Sequence, residues 1–166
     1  MAGKALKTYR TSSTGDLARF RREYGNAFLV LHGALETDDR LLRTAAIESG
    51  SELPNVAHDM SAFEIRSTGR GSFPGFVSVG RVNNNDIVIE HSSLSKFHAY
   101  FRDNGESGFG LHDAGSMNGT FVDEQEIPKR DGKPWPLRSG HRIRFGAVGV
   151  TYLEASEFVL LVRKLA

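Results

Sequence analysis

The chain has 166 residues, with 21 Lys+Arg against 20 Asp+Glu for a formal net charge of +1, a length that holds one domain with a real core, or one domain plus an extension. The near-balance of charge gives no electrostatic reason to expect a nucleic-acid partner or a membrane surface, so any anion site has to be local. Without cysteine there are no disulfides or thiolate metal sites, and without a signal-like or membrane-length apolar run the expectation is a soluble cytoplasmic protein with no metal or other cofactor.

Residues 1 to about 12 are polar and read as a disordered start. Ser13 is a candidate helix cap, with Asp16 three positions on and Leu17, Phe20 and Tyr24 at helical spacing behind it. The run "AFLVLHGAL" (27–35) is short and apolar, and its periodicity fits a strand or a helix equally. "TDDRLLRTAAIESG" predicts a second helix, capped near Thr37 or Asp38 and stopped by Gly50, and "SELPNVAHD" (51–59) reads as a linker. Residues 1–60 are therefore expected to form a partly helical N-terminal extension without an assigned function.

From Ser61 the texture changes. Short apolar runs ("AFEIRS", "FVSVGR", "DIVIE", "FHAYF", "GFGLHD", "GTFVD", "HRIRFG", "VTYLE", "FVLLVRKL") are separated by turn residues, among them "NNN", "DAGSMNG" and "RDGKPWP". That spacing predicts a β-sandwich or barrel over 61–166, with no helix of useful length in it. Within "SKFHAYF" (95–101), Phe97, Ala99 and Phe101 alternate with Lys96, His98 and Tyr100, so the first three are expected in the core.

Taken singly, the polar motifs are ordinary. Arg81 after Gly80 reads as a solvated arginine at a strand end. Asn83-Asn84-Asn85-Asp86 reads as a turn, and Asn118-Gly119 as a hairpin signal. A catalytic pair of Ser95 and His98 is disfavoured, because residues three apart in a regular strand face opposite sides and a nucleophile has to touch its base. His91, His98, His112 and His141 lack the tight spacing of metal ligands, and no Gly-rich phosphate loop runs into a helix.

In order along the chain the motifs become specific: Gly80-Arg81, Asn85-Asp86-Ile87-Val88-Ile89, Ser95-x-x-His98, then Asp113-x-Gly115-Ser116-x-Asn118-Gly119-Thr120-Phe121-Val122. This series resembles the forkhead-associated (FHA) domain, over about residues 61–166, roughly two thirds of the chain. The resemblance implies an eleven-stranded SMAD/FHA-like β-sandwich whose end loops bind phosphothreonine peptides, with no catalytic residues. It casts Arg81 as the main phosphate ligand, a role its guanidinium fork suits. Ser95 would supply a hydroxyl and a backbone N–H, with Lys96 beside it on the phosphate side, and the Asn118 amide would hold the peptide backbone. Gly80, His98, Gly119 and Thr120 would support the site, His98 by hydrogen-bonding inside the domain.

Two positions depart from the family pattern. Met117 stands where relatives carry a hydroxyl residue that touches phosphate, and methionine cannot donate. His141 replaces the usual acidic residue of a late turn. The residues that select the third peptide position after the phosphothreonine are expected around His91–Leu94 and Asp123–Trp135. The expected partner is a phosphothreonine protein, a Ser/Thr kinase or its substrate. The alternative is an FHA-fold scaffold that docks or self-associates without phosphate. Ser12, Ser13 and Thr14 read as an ordinary polar tail.

Overall fold

The computed structural model describes residues 2–13, 15–31, 60–71 and 74–165. Alternating apolar residues bounded by turns do become strands: β1 (Lys4–Ala5), β2 (Ala27–Leu31), β3 (Ser61–Glu64), β4 (Phe76–Gly80), β5 (Ile87–Val88), β6 (Ala99–Asp103), β7 (Phe109–Asp113), β8 (Thr120–Val122), β9 (Gln125–Glu126), β10 (Trp135–Pro136), β11 (Arg142–Phe145) and β12 (Val148–Glu154). They form a seven-stranded sheet, β1-β3-β2-β12-β11-β8-β9, and a five-stranded sheet, β10-β7-β6-β4-β5. Every pairing is antiparallel except β4 with β5. Counted with its two-residue strands, the described sandwich has twelve, against the eleven that the resemblance implies.

The sandwich core holds Leu29, Phe101, Leu111, Phe145 and Tyr152, all with at most 1% exposure. A second core lies on the other side of β2. Ala27 and Leu29 join the sandwich core, whereas Phe28 and Val30 pack with Leu6, Tyr9, Phe20 and Phe158. Burial on both faces explains why "AFLVL" shows no alternation. Phe28 and Phe158 stack with ring centroids 3.9 Å apart.

The described part of 1–60 is partly helical, as expected, and also supplies strands to the larger sheet: β2 lies between β3 and β12, with Leu31 opposite both Ser61 and Val150. Three expectations are corrected. First, residues 4–13 are ordered as β1, a 3-10 turn (Leu6–Tyr9) and α1 (Arg10–Ser13), because Leu6 and Tyr9 are buried in the second core. Second, the cap of α2 (Leu17–Tyr24) is Asp16, whose carboxylate accepts the Ala18 N–H at 3.1 Å, while Ser13 Oγ donates to Arg10 O. Third, "FVLLVRKL" belongs to a helix, α3 (Ala155–Lys164). Ala155, Phe158, Val159 and Val162 are its buried residues, the spacing of a helix face packed on a sheet. The predicted second helix and linker lie outside the described residues.

Candidate functional site

Arg81 follows β4 directly and is exposed. Its backbone N–H donates to Ser95 O at 3.1 Å and its Nε to Leu94 O at 3.1 Å, so both ends of the residue are tied to the segment before β6. Among the described residues no carboxylate lies within 4.0 Å of the guanidinium. One Arg81 donor serves to orient the fork, leaving an unneutralised cation beside Ser95.

Residues 95–98 are not strand; β6 begins at Ala99. The chain turns His98 inward to 0% exposure and leaves Phe97 36% exposed, so Phe97 is corrected from core to surface, and Ala99 and Phe101 alone fill the core from this stretch. The turn also brings His98 against Ser95, which a regular strand would forbid. His98 Nδ1 accepts the Ser95 backbone N–H at 3.0 Å, and Nε2 lies 3.0 Å from Gly119 O. Since Nδ1 is an acceptor, Nε2 carries the hydrogen and donates. Burial lowers the His98 pKa below its ordinary value, against the pull of the Gly119 carbonyl, and the ring is neutral at pH 7. Ser95 Oγ is not in this bond. It accepts the Met117 N–H at 3.0 Å, which leaves its O–H to donate elsewhere. The geometry positions Ser95; it does not pair a nucleophile with a base. The Ser95 N–H, committed to His98, is unavailable to a ligand.

Lys96 is exposed, and its carbonyl accepts Asn85 Nδ2 at 2.7 Å. The same Asn85 amide, 2% exposed, donates to Val82 O. Gly80 lies beneath this contact, where a Cβ would stand 2.1 Å from Lys96 O and 2.6 Å from Asn85 Nδ2. Asp86 takes four donors: N–H and Oγ1 of Thr68 on one oxygen, N–H and Oγ of Ser78 on the other. Burial alone would raise its carboxyl; those donors outweigh it and hold the pKa below the ordinary value. The "NNND" stretch is a turn, and Asn85 and Asp86 also clamp it to its neighbours.

The loop from β7 to β8 is built around Asp113. Its Oδ1 accepts the N–H groups of Gly115 and Ser116, and Oδ2 accepts the hydroxyls of Ser116 and Thr120, at 2.6–2.8 Å. Burial works against this carboxylate too, and the four bonds again keep its pKa low. Ser116 Oγ receives the Gly119 N–H, so the turn closes on itself. Met117 stands 85% exposed at its tip, contributing its backbone N–H to Ser95. Asn118 is exposed and donates from Nδ2 to Ser93 O at 2.8 Å. Gly119 O receives both His98 Nε2 and Gly146 N–H, while Thr120, fully buried, enters β8.

Arg81, Ser95, Met117 and Asn118 thus belong to one chain of contacts, with Lys96 exposed beside it and Gly80, His98, Gly119 and Thr120 beneath. Sequence inspection placed Asn85, Asp86, Asp113 and Ser116 in the motif series but missed their supporting roles. His141 accepts the Arg138 N–H on Nδ1 within its own turn and approaches Asp123 of the β8–β9 turn at 3.8 Å.

The FHA domain family model matches residues 77–146. Human kanadaptin is 35% identical over 77 residues, 40% of this chain and 10% of that protein. The oxoglutarate dehydrogenase inhibitor of Corynebacterium jeikeium is 32% identical over 80 residues, 48% of this chain and 51% of the relative. This chain therefore spans about a tenth and about half of the two proteins. Among solved structures, Mycobacterium tuberculosis EmbR in complex with a low-affinity phosphopeptide is 28% identical, at a TM-score of 0.43 over 48% of this chain and 20% of that one. The FHA domain of the CT664 protein from Chlamydia trachomatis is 19% identical, at a TM-score of 0.48 over 76% and 96%. The matched span runs from β4 through β11 and includes Arg81, Ser95, His98 and Asn118; residues 77–146 of this chain carry an FHA domain.

Proposed function

We propose that this chain is a phosphothreonine-dependent peptide-binding module without catalysis of its own. The observation that carries the proposal is the exposed, carboxylate-free Arg81 guanidinium, aimed by Leu94 O, beside a Ser95 hydroxyl that Met117 leaves free to donate. A phosphate offers about two negative charges and three acceptor oxygens. Arg81 supplies the fork, Ser95 Oγ a hydroxyl donor and Lys96 a nearby charge. The Asn118 amide has a second N–H and a carbonyl beyond the donor given to Ser93, suited to an extended peptide backbone. The relative from Corynebacterium jeikeium is named an inhibitor, not an enzyme, in keeping with a binding role. The partner is a phosphothreonine protein, a Ser/Thr kinase or its substrate.

Charge-assisted bonds contribute about 1.5–3 kcal/mol each, and ordering the peptide offsets part of that, so roughly micromolar affinity is expected, about −8 kcal/mol. An oriented phosphothreonine-peptide library supplies a ligand, and calorimetry compares it with its unmodified form on wild type and Arg81→Ala. Either the missing phosphate or the missing Arg81 is expected to weaken binding by at least about tenfold. Met117, exposed and without a donor, favours the second reading, a phosphate-independent scaffold. Equal affinity for both peptide forms would establish that reading in place of the first.

A further inference from the structure

A second cation, Arg130 of the β9–β10 loop, stands against the loop that follows β7. Arg130 has φ +53°, one of three non-glycine residues with positive φ among the described residues. The other two, Asp123 and Glu124, form the β8–β9 turn, where such a conformation is ordinary. Arg130 lies in a turn of the β9–β10 loop, at a φ that turns more often give to Gly or Asn. Its N–H donates to Asp113 O at 3.1 Å and its Nε approaches Ala114 O at 3.4 Å. Strained backbone of this kind persists where its surroundings over-determine it, and it concentrates at binding sites.

The surroundings here are Gly115. A Cβ on Gly115 would lie 2.2 Å from Arg130 Nε and 2.7 Å from Cζ, so the guanidinium lies on bare backbone that any side chain would take away. Arg130 is exposed, and among the described residues no carboxylate lies within 4.0 Å of it. The nearby Asp113 carboxylate is buried, with both oxygens already taking donors. Lys129, its neighbour in sequence, is paired with Glu126 at 3.9 Å.

The position of this cation can be bounded. Arg130 touches Gly115, and Ser95 Oγ bonds the N–H of Met117, two residues further along the same tight loop. With standard backbone dimensions the Arg130 Nε is at most about 13 Å from Ser95 Oγ, the reach of about four extended residues. We infer that Arg130 is a second anion-recognition residue. It takes a carboxylate or a second phosphate on the same peptide, within about four residues of the phosphothreonine, so that the chain selects acidic or doubly phosphorylated segments. The inference rests on the phosphothreonine reading above.

The test uses a phosphothreonine peptide with uncharged flanks, scanned with a single Asp, and in parallel a single phosphoserine, from four positions before to four after. Fluorescence anisotropy measures binding to the full chain, to Arg130→Gln and to Arg130→Gly, the last of which also relieves the positive φ. At one position or two adjacent ones, an anion is expected to tighten binding to wild type about two- to fivefold, the range of an exposed ion pair. Both variants lose that gain and bind the uncharged parent as wild type does. The larger gain identifies carboxylate or phosphate as the preferred source. A gain at no position, or one that survives in both variants, overturns the inference while leaving phosphate dependence intact. A wild type that does not bind the parent peptide overturns both.

Discussion

Both ring nitrogens of His98 are committed, one to a donor and one to an acceptor, and that pair of bonds holds two separate loops in register. Ser95 N–H is on one side and Gly119 O on the other. His98→Ala would leave both groups unpaired and open a cavity, at a cost of about 2–4 kcal/mol. The melting temperature is expected to fall by about 5–15 °C, with phosphopeptide affinity falling as well because Ser95 and Asn118 lose their fixed spacing. A wild-type melting temperature would contradict the bracing role. The Ser-x-x-His spacing was visible in the sequence; the atoms that meet were not. Alternation predicts a strand through 95–101, and the bend that buries His98 and exposes Phe97 depends on Lys96 O finding the Asn85 amide.

Among the elements, the strands come from alternating apolar residues, but the site is made by loops whose order is polar. The Asp113 carboxylate replaces four backbone and hydroxyl hydrogen bonds to water with four inside the protein, and the turn carrying Met117 and Asn118 has its shape from them. Asp113→Ala strands four donors, several of them buried, and is expected to cost about 3 kcal/mol or more and to weaken peptide binding at least tenfold. Thermal melting and anisotropy on the same variant check the two effects; unchanged affinity in a folded variant would mean the turn is set by backbone alone. Sequence inspection placed these turns and their Gly residues. It could not name the clamps, since Asp86 with Ser78 and Asn85 with Lys96 are pairings between segments eight and eleven residues apart that meet only in the folded chain.

At the scale of the whole molecule, stability should fall with acid in two stages. His98 and His112 are held below their ordinary pKa by burial. As pH drops below about 6.5 the unfolded chain therefore binds protons that the folded one refuses, which favours unfolding. Asp86 and Asp113 are also held low. Their contribution is present above about pH 3.9, the unfolded value, and is lost as pH falls through their lower folded values. Melting temperature is expected to be level near pH 7.5, to decline from about 6.5 to 5, and to decline again below 4. In His98→Ala the first decline is shallower, with His112 accounting for the remainder. A level melting temperature from pH 7 to 5 would contradict a neutral, buried His98.

The second core belongs to the same scale. Phe28 and Val30 of β2 receive α3 on the outer face of the larger sheet, joining the two ends of the described chain, and Arg163 Nε donates to Ser13 O at 2.6 Å. By itself the sequence determined the β-rich class of 61–166, the order of its turns and the residue types of the candidate site, because those follow from local alternation, from Gly and Asn chemistry and from motif spacing. The tertiary structure alone decided that β2 is central to the sheet, that "FVLLVRKL" is helical, that His98 faces inward, and that Arg130 lies on Gly115. The physical reason is common to all four. Each depends on which distant surface or carbonyl a residue meets once the sheets have closed, and a local pattern carries no information about that partner.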